Sequence, residues 1–220
     1  MIKIRLANIS DLKELNELIT MSARELSRDI YTEQETEGAI KYVFGVDTEL
    51  VDDKTYFVIE KNGEIAGCGG WSKRKTLFGG NQFSGREESD YLDPSKDAAK
   101  IRAFFVHPKF ARLGLGSMLL KYCEQQANSN GFTQLEMMAT LPGVKLYSAM
   151  AYKAISDEIV MLPNKVPLRF VRMAKNLKEL IPGDKVSGEL LSNATIVFFR
   201  KHEALSDQTK SLGMESRAKL

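Results

Sequence analysis

Apolar and polar positions along the chain follow two repeats, one typical of strands and one typical of helices. Residues 2–6 alternate, and the aromatic and β-branched run at 101–106 has the pattern of a strand buried on both faces. After Gly116, apolar residues recur at helical spacing up to Asn130-Gly131, where glycine supplies a left-handed helix cap. The centre of the chain therefore predicts a buried strand, a glycine-rich turn and a helix.

The same patterns predict further elements. A helix is expected to open at Ser10-Asp11, and a second one to span residues 32–44. The Asn-Gly pair at 62–63, between two apolar runs, predicts a hairpin. Further strand patterns occur at 134–140, 153–162, 166–174 and 194–199, and Pro142 is placed for the first turn of another helix.

The glycine-rich turn combines three features of an anion site: a preceding strand, flexible backbone and a helix N-terminus with unpaired N–H groups. Two common phosphate motifs are excluded by spacing. A P-loop requires Lys after the last glycine, and here Gly116 is followed by Ser117-Met118. A dinucleotide fingerprint requires a third glycine, where this chain has Leu119.

Composition bounds the function classes. The chain has 220 residues, is 43% hydrophobic and carries a net charge of +2, which suits one domain with an extension and gives no case for nucleic-acid binding. Cys68 and Cys123, in apolar surroundings, are expected to be reduced core thiols of a cytoplasmic protein. With His107 and His202 they match no zinc spacing, so no metal is predicted. No signal peptide or membrane-spanning run is recognised, and no membrane partner is expected.

Residues 106–116, Val-His-Pro-Lys-Phe-Ala-Arg-Leu-Gly-Leu-Gly, resemble motif A of the GNAT superfamily of N-acetyltransferases. That motif reads Gln/Arg-x-x-Gly-x-Gly/Ala after a strand ending in Val-x-Pro. The position usually filled by Gln or Arg holds Ala111, and the basic residue is its neighbour Arg112. Residues 140–152 are similar to motif B, in which Leu146-Tyr147 match outright.

The resemblance covers residues 1–175, the expected acetyltransferase domain, and leaves 176–220 as an extension with one strand predicted at about 194–200. It implies an α/β (α+β) fold with a mixed, mostly antiparallel central sheet flanked by helices. It also implies acetyl-CoA as cosubstrate, held mainly by backbone groups. The residues that the resemblance assigns to acetyl-CoA are Phe104, Phe105, Val106, Ala111, Arg112, Leu113, Gly114, Leu115, Gly116 and Ser117.

For the chemistry, the resemblance implies acyl transfer to an amine, with Tyr147 as the general acid at the leaving sulfur; the alternative is a Tyr that packs motif B onto the sheet. Arg102 and Ala103 stand where the family often has a Glu, so Glu136 and Asp97 are considered as the base instead. Cys123 lies on a helix stripe without a sequence partner, which favours direct transfer.

The acceptor is expected to be a small-molecule or peptide amine, and a homodimer stays open. The segment before the cofactor strand carries acids at Glu87, Glu88, Asp90, Asp93 and Asp97, which would attract a small cationic amine unless the segment is simply a solvated insertion. Near the second helix, Tyr31 and Glu35 would face a substrate or else be ordinary helix-start residues. The alternative function is an acyl-CoA-binding sensor or interaction module without turnover, favoured by Ala111 and by the missing strand carboxylate.

Overall fold

The computed structural model describes residues 1–85, 90–177 and 195–198, the last four by their backbone alone. The described strands form one eight-stranded sheet with the order β6-β7-β5-β4-β3-β2-β1-β8. The strands are β1 (Ile2–Leu6), β2 (Tyr56–Lys61), β3 (Glu64–Ser72), β4 (Ala99–Val106), β5 (Gln134–Thr140), β6 (Lys153–Met161), β7 (Pro167–Asn176) and β8 (Thr195–Phe198). Within this sheet only β4 and β5 pair in parallel. The predicted mixed, mostly antiparallel sheet is therefore confirmed.

Helices cover both faces of the sheet. They are α1 (Leu12–Leu26), α2 (Glu33–Tyr42), α3 (Thr48–Asp52), α4 (Leu115–Ser129) and α5 (Val144–Ala149). Successive residues of β2 point into different cores: Phe57 and Ile59 pack in the core that contains α4, and Tyr56 and Val58 pack in the core that contains α1. This alternation is the period-two pattern of a strand buried on both faces.

Two local features were not predicted. The 3-10 turn Ile9–Asp11 precedes α1 and is capped by Asn8, whose side chain accepts from the Ser10 N–H while Asp11 completes a capping box; α1 itself begins directly after Asp11, in agreement with the predicted start at Ser10-Asp11. Helix α3 was not predicted, because its five residues are too few to show a helical repeat. Its cap is Asp47, whose carboxylate accepts from the Glu49 N–H.

The hairpin of β2 and β3 is confirmed. Asn62 and Gly63 both have positive φ angles, 55° and 88°, as the two central residues of a type I′ turn require. In β3, the glycines are explained by close neighbours. A Cβ on Gly69 would lie 2.7 Å from the ring of Phe104, and one on Gly70 would lie 2.5 Å from the Thr55 carbonyl oxygen. The strand therefore needs glycine there for packing against its neighbours.

Among the described residues, no helix is both long and apolar enough to cross a membrane. The segment at 178–194 and the tail after 198, which includes His202, lie outside the described residues, as do Glu87 and Glu88.

Candidate active site

A cleft opens where the only parallel pair of the described sheet separates. β4 and β5 pair at Ala99 with Leu135 and at Lys100 with Glu136, and their described pairing stops there. The side chains of Lys100 and Glu136 form an ion pair at this last rung, and Arg172 of β7 lies 2.7 Å from the second carboxylate oxygen of Glu136. From Ile101 onward the edge of β4 that faces β5 is left open to a ligand.

A β-bulge changes the direction of the backbone groups of β4 inside the cleft. The β3–β4 register shifts between Cys68 and Gly70, and Ala103 has a φ of 53°. Such a bulge adds one residue to a strand and turns the backbone groups beside it. The hydroxyl of Tyr56 donates to the Ala103 carbonyl at 3.2 Å and so fixes the bulge from the α1 side of the sheet. The ring of Phe104 lies over Gly69 as a result.

The predicted anion loop lies at the carboxyl end of β4. After the 3-10 turn Pro108–Phe110, Arg112 and Gly114 have φ angles of 62° and 78°, and α4 begins directly after Gly114. The first bond within the helix runs from the Met118 N–H to the Gly114 carbonyl at 3.0 Å. The amides of the first turn therefore point out of the helix end, where the helix dipole favours an anion.

This loop is close to the cleft. A Cβ on Gly116 would lie 3.2 Å from Leu146 of α5 and 3.5 Å from Val106, so the start of α4 packs at the junction of β4 and α5. A Cβ on Gly114 would meet no atom within 4 Å, which leaves open space on the outer side of the turn. The loop, residues 111–117, therefore lies at the end of the strand whose open edge lines the cleft.

The cleft walls are mainly apolar and aromatic. The lining side chains and glycines are Val43, Phe44, Gly45, Leu77, Phe78, Gly79, Gly80, Ile101, Arg102, Ala103, Phe104, Phe105, Met137, Met138, Thr140, Tyr147 and Phe170. Of the residues assigned to acetyl-CoA from the sequence, Phe104 and Phe105 lie in this lining, while Val106 lies at its end beside Gly116.

Tyr147 of α5 lines the cleft, although only 8% of it is exposed. Its ring makes an edge contact with Tyr152, with 6.1 Å between the ring centroids. Burial raises the pKa of Tyr147 well above that of a free phenol, and the neighbouring Cys123 adds to the shift. The hydroxyl therefore stays protonated at neutral pH and is available as a hydrogen-bond donor.

The two carboxylates weighed as a base are engaged elsewhere. Burial alone would raise the pKa of Glu136, but hydrogen bonds from Lys100 and Arg172 outweigh it and hold the pKa below its usual value. Asp97 accepts from the Asp93 N–H at 2.7 Å in the preceding turn. Neither residue is part of the cleft lining.

The buried thiols have no sign of activation. Burial raises the pKa of Cys123 well above the ordinary value, and the charge of Glu124 adds to the effect. Burial also raises the pKa of Cys68, to about 12. Both are free and buried, as the sequence predicted, and a thiol that stays protonated is a poor nucleophile.

Other residues singled out in the sequence have local roles. Tyr31 is buried, and its hydroxyl donates to the Arg169 carbonyl and accepts from the Leu141 N–H at 3.0 Å. Glu35 completes the capping box of α2 with Thr32. In the acidic segment, Asp90 pairs with Lys75 at 2.8 Å and Asp93 with Lys96 at 3.2 Å.

The sequence interpretation missed the opposite wall of the cleft. Phe78 lies in the segment before β4, in which only the acids were singled out from the sequence, and its ring packs on Phe170 of β7 with 5.5 Å between the centroids. Arg102, the one charged side chain of the described lining, forms a buried ion pair with Asp47, with 2.6 Å between the paired atoms. Phe78, an aromatic residue in a loop without periodicity, was the signal that this segment offered for the wall.

Similarity to known proteins agrees with this geometry. The model of the acetyltransferase (GNAT) family matches residues 20–152, and the chain belongs to that family. The prediction of an acetyltransferase of this superfamily is thereby confirmed. No curated protein sequence matches the chain.

Solved structures share the fold at low identity. A GCN5-related N-acetyltransferase from Rhodopseudomonas palustris has a TM-score of 0.58 at 18% identity, over 79% of this chain and 94% of that one. The PaiA N-acetyltransferase from Thermoplasma acidophilum, solved with coenzyme A, has a TM-score of 0.52 at 14% identity, over 80% and 99%. YncA from Salmonella typhimurium, solved with acetyl-CoA, has a TM-score of 0.54 at 16% identity, over 84% and 98%.

Proposed function

We propose that this chain transfers the acetyl group of acetyl-CoA directly to a small amine, cationic in water, within the cleft between β4 and β5. The observation that carries the proposal is the continuity of two parts. An open strand edge lines the cleft, and a glycine loop at the N-terminus of α4 lies at the end of that strand. The open edge suits an extended acyl-thioester arm, and the loop suits a pyrophosphate.

The binding roles follow from the backbone. Residues 111–117 would hold the pyrophosphate of acetyl-CoA through the first-turn amides of α4, with open space at Gly114 for the phosphate oxygens. Phe104, Phe105 and Val106 would lie along the pantetheine arm. Backbone N–H groups beside the bulge at Ala103 would donate to the thioester oxygen as negative charge develops there. Fixed donors of this kind are worth about 3 kcal/mol each.

Tyr147 is assigned to the leaving sulfur. A free thiol has a pKa of about 8.5, and burial holds the pKa of Tyr147 far above that value. Complete proton transfer from the phenol to the thiolate would therefore be uphill. Tyr147 acts instead by donating a hydrogen bond to the sulfur as negative charge develops on it, and the released thiolate then takes its proton from water. A hydrogen bond to a charged group contributes about 1.5 to 3 kcal/mol.

Removal of the proton from the amine is assigned to water. Only an unprotonated amine can attack, and the described lining contains no carboxylate and no histidine. A water relay from the cleft to bulk solvent meets this need without a dedicated base.

A cytoplasmic location is part of the proposal. The free, buried thiols of Cys68 and Cys123 support it, because unpaired thiols are typical of a reducing compartment.

Attraction of the acceptor by the acidic segment stays a prediction. Asp90 is exposed and lies outside the cleft lining. The acids of this segment would act at a distance, by raising the local concentration of a cationic amine. Replacing Asp90 by Asn is expected to raise KM for the amine at low salt and to leave acetyl-CoA affinity unchanged.

One observation favours the alternative of an acyl-CoA-binding module without turnover: Arg102, held by Asp47, occupies the part of β4 where a base would be expected. The two functions are separated by measuring free thiol release from acetyl-CoA in the presence of a panel of primary amines, with acetyl-CoA affinity measured by calorimetry. Enzymatic transfer predicts amine-dependent thiol release and an acetylated amine of the expected mass. Tight acetyl-CoA binding with no amine-dependent release would establish the alternative.

A further inference from the structure

We infer that the acceptor amine is carried on an apolar or aromatic body and has no second charged group close to it. This inference rests on the proposed function and names the substrate class of the same site. It is drawn from the wall of the cleft opposite β4, which is built from the α2–α3 connection, residues 77–80 and β7.

The wall is an apolar surface with aromatic contacts on both sides. Phe44 makes an edge contact with Phe105, with 5.6 Å between ring centroids, and Phe78 packs on Phe170 at 5.5 Å. Met138 of β5 completes the lining beside them. Aromatic rings and an adaptable Met side chain together suit an apolar body of variable shape.

The wall is held in place by hydrogen bonds and does not depend on a ligand to form. The Gly80 N–H donates to the Val43 carbonyl at 2.8 Å, and the Asn81 N–H donates to the Val46 carbonyl at 3.1 Å. The guanidinium of Arg102 donates to the Gly79 carbonyl. Residues 77–80 are therefore fastened to the α2–α3 connection on one side and to β4 on the other.

The charge of the lining disfavours two other acceptor classes. Arg102 carries the only formal charge among the described lining residues, and it is compensated by Asp47, which is fully buried. A second ammonium group would enter the cleft without a carboxylate to pair with. An acceptor carboxylate would find the guanidinium already occupied. Burying an uncompensated charge is strongly unfavourable, so both diamines and amino acids are disfavoured.

The test uses two amines of equal size. n-Hexylamine and 1,5-diaminopentane have the same number of heavy atoms and differ by a terminal methyl against a terminal ammonium. We expect kcat/KM for hexylamine to exceed that for diaminopentane by roughly a hundredfold, because the distal ammonium would lose its hydration in the cleft. 2-Phenylethylamine is expected to be used at least as well as hexylamine, and 5-aminopentanoic acid poorly.

Variants of the wall sharpen the test. Phe78→Ala is expected to lower the ratio of kcat/KM for phenylethylamine over ethylamine by about tenfold, from the apolar contact removed. Tyr91→Ala is the matched control, since Tyr91 is an exposed aromatic residue of the same segment outside the lining. That variant should leave the ratio unchanged. Met138→Glu should shift preference toward diaminopentane by about tenfold or more, by supplying the missing carboxylate.

Each result decides the inference. Equal use of hexylamine and diaminopentane, or preference for the diamine or the amino acid, would overturn it while leaving acetyl transfer intact. Better turnover of a peptide with an apolar first residue than of phenylethylamine would overturn the assignment of a small amine and identify a peptide N-terminus as the acceptor. Acetyl-CoA binding without turnover of any amine would overturn the proposed function itself, and this inference with it.

Discussion

Replacing Gly114 by Glu places a carboxylate where the structure leaves open space, directly before the first turn of α4. A Cβ at this position would meet no atom within 4 Å, so the added side chain starts in open space. The φ of 78° imposes a backbone strain of about 1 kcal/mol on any non-glycine residue. This strain lowers the stability of the fold and is separable from an effect on ligand affinity.

The effect on acetyl-CoA affinity comes from charge. At roughly 6 Å, Coulomb's law gives about 0.7 kcal/mol for two unit charges in water and about 3 kcal/mol at an effective dielectric constant of 20. A pyrophosphate carries two charges, so the loss lies between about 1.4 and 6 kcal/mol. The dissociation constant is therefore expected to rise by at least about tenfold.

Two controls isolate this term. Gly114→Gln keeps the size and the backbone strain but removes the charge, so we expect it to weaken binding much less. Gly131→Glu adds the same charge and a similar strain at a glycine with a φ of 90°, at the opposite end of α4 from the loop. Titration calorimetry at low salt provides the affinities. Equal acetyl-CoA affinity for Gly114→Glu and the wild-type protein would refute the assignment of the pyrophosphate site.

Three further outcomes are expected. Tyr147→Phe should lower kcat by about 10- to 100-fold with little change in acetyl-CoA affinity, and an unchanged kcat would leave Tyr147 with a packing role only. Because burial raises the pKa of Tyr147, its ionisation should produce no alkaline fall in the wild-type rate below about pH 10. Glu136→Gln should lower the free energy of unfolding at pH 7 by about 3 kcal/mol, since it leaves Lys100 buried without its partner. The pKa of Glu136 is lowered in the fold, so the stability that its ionised form contributes is present above the unfolded pKa of about 4.3 and is lost as pH falls through the folded pKa. In urea titrations, the free energies of unfolding of wild type and variant should therefore converge at low pH. A difference that stays constant with pH would contradict the pairing. Cys123→Ala should retain amine-dependent thiol release, whereas its loss in a folded variant would argue for a covalent intermediate.

The sequence predicted those elements whose signals are local. The Asn62-Gly63 turn requires its two residues to adopt positive φ, and the sheet around it has the expected alternation. The glycine turn before α4 was predictable for the same reason, since helix starts and turns are encoded within a few residues. The cofactor-side surface of the site was therefore predictable, although its ligand contacts stay predictions.

The acceptor side was not predictable because it depends on distant residues. Arg102 finds Asp47 across 54 intervening positions, and Phe78 finds Phe170 across 91, and nothing in the local pattern marks either pair. The bulge at Ala103 places a non-glycine residue at positive φ, and no turn motif in the sequence predicts this conformation. The charged residues of this loop were recognised in the sequence, whereas its apolar residues, which form the wall of the cleft, were not.

A crystal structure of the protein with coenzyme A tests the central claim most directly. We expect the pyrophosphate at the first-turn amides of α4, the pantetheine along the open edge of β4, and the sulfur within hydrogen-bond distance of the Tyr147 hydroxyl. Coenzyme A bound away from the cleft between β4 and β5, or bound there with its sulfur beyond the reach of Tyr147, would contradict the account.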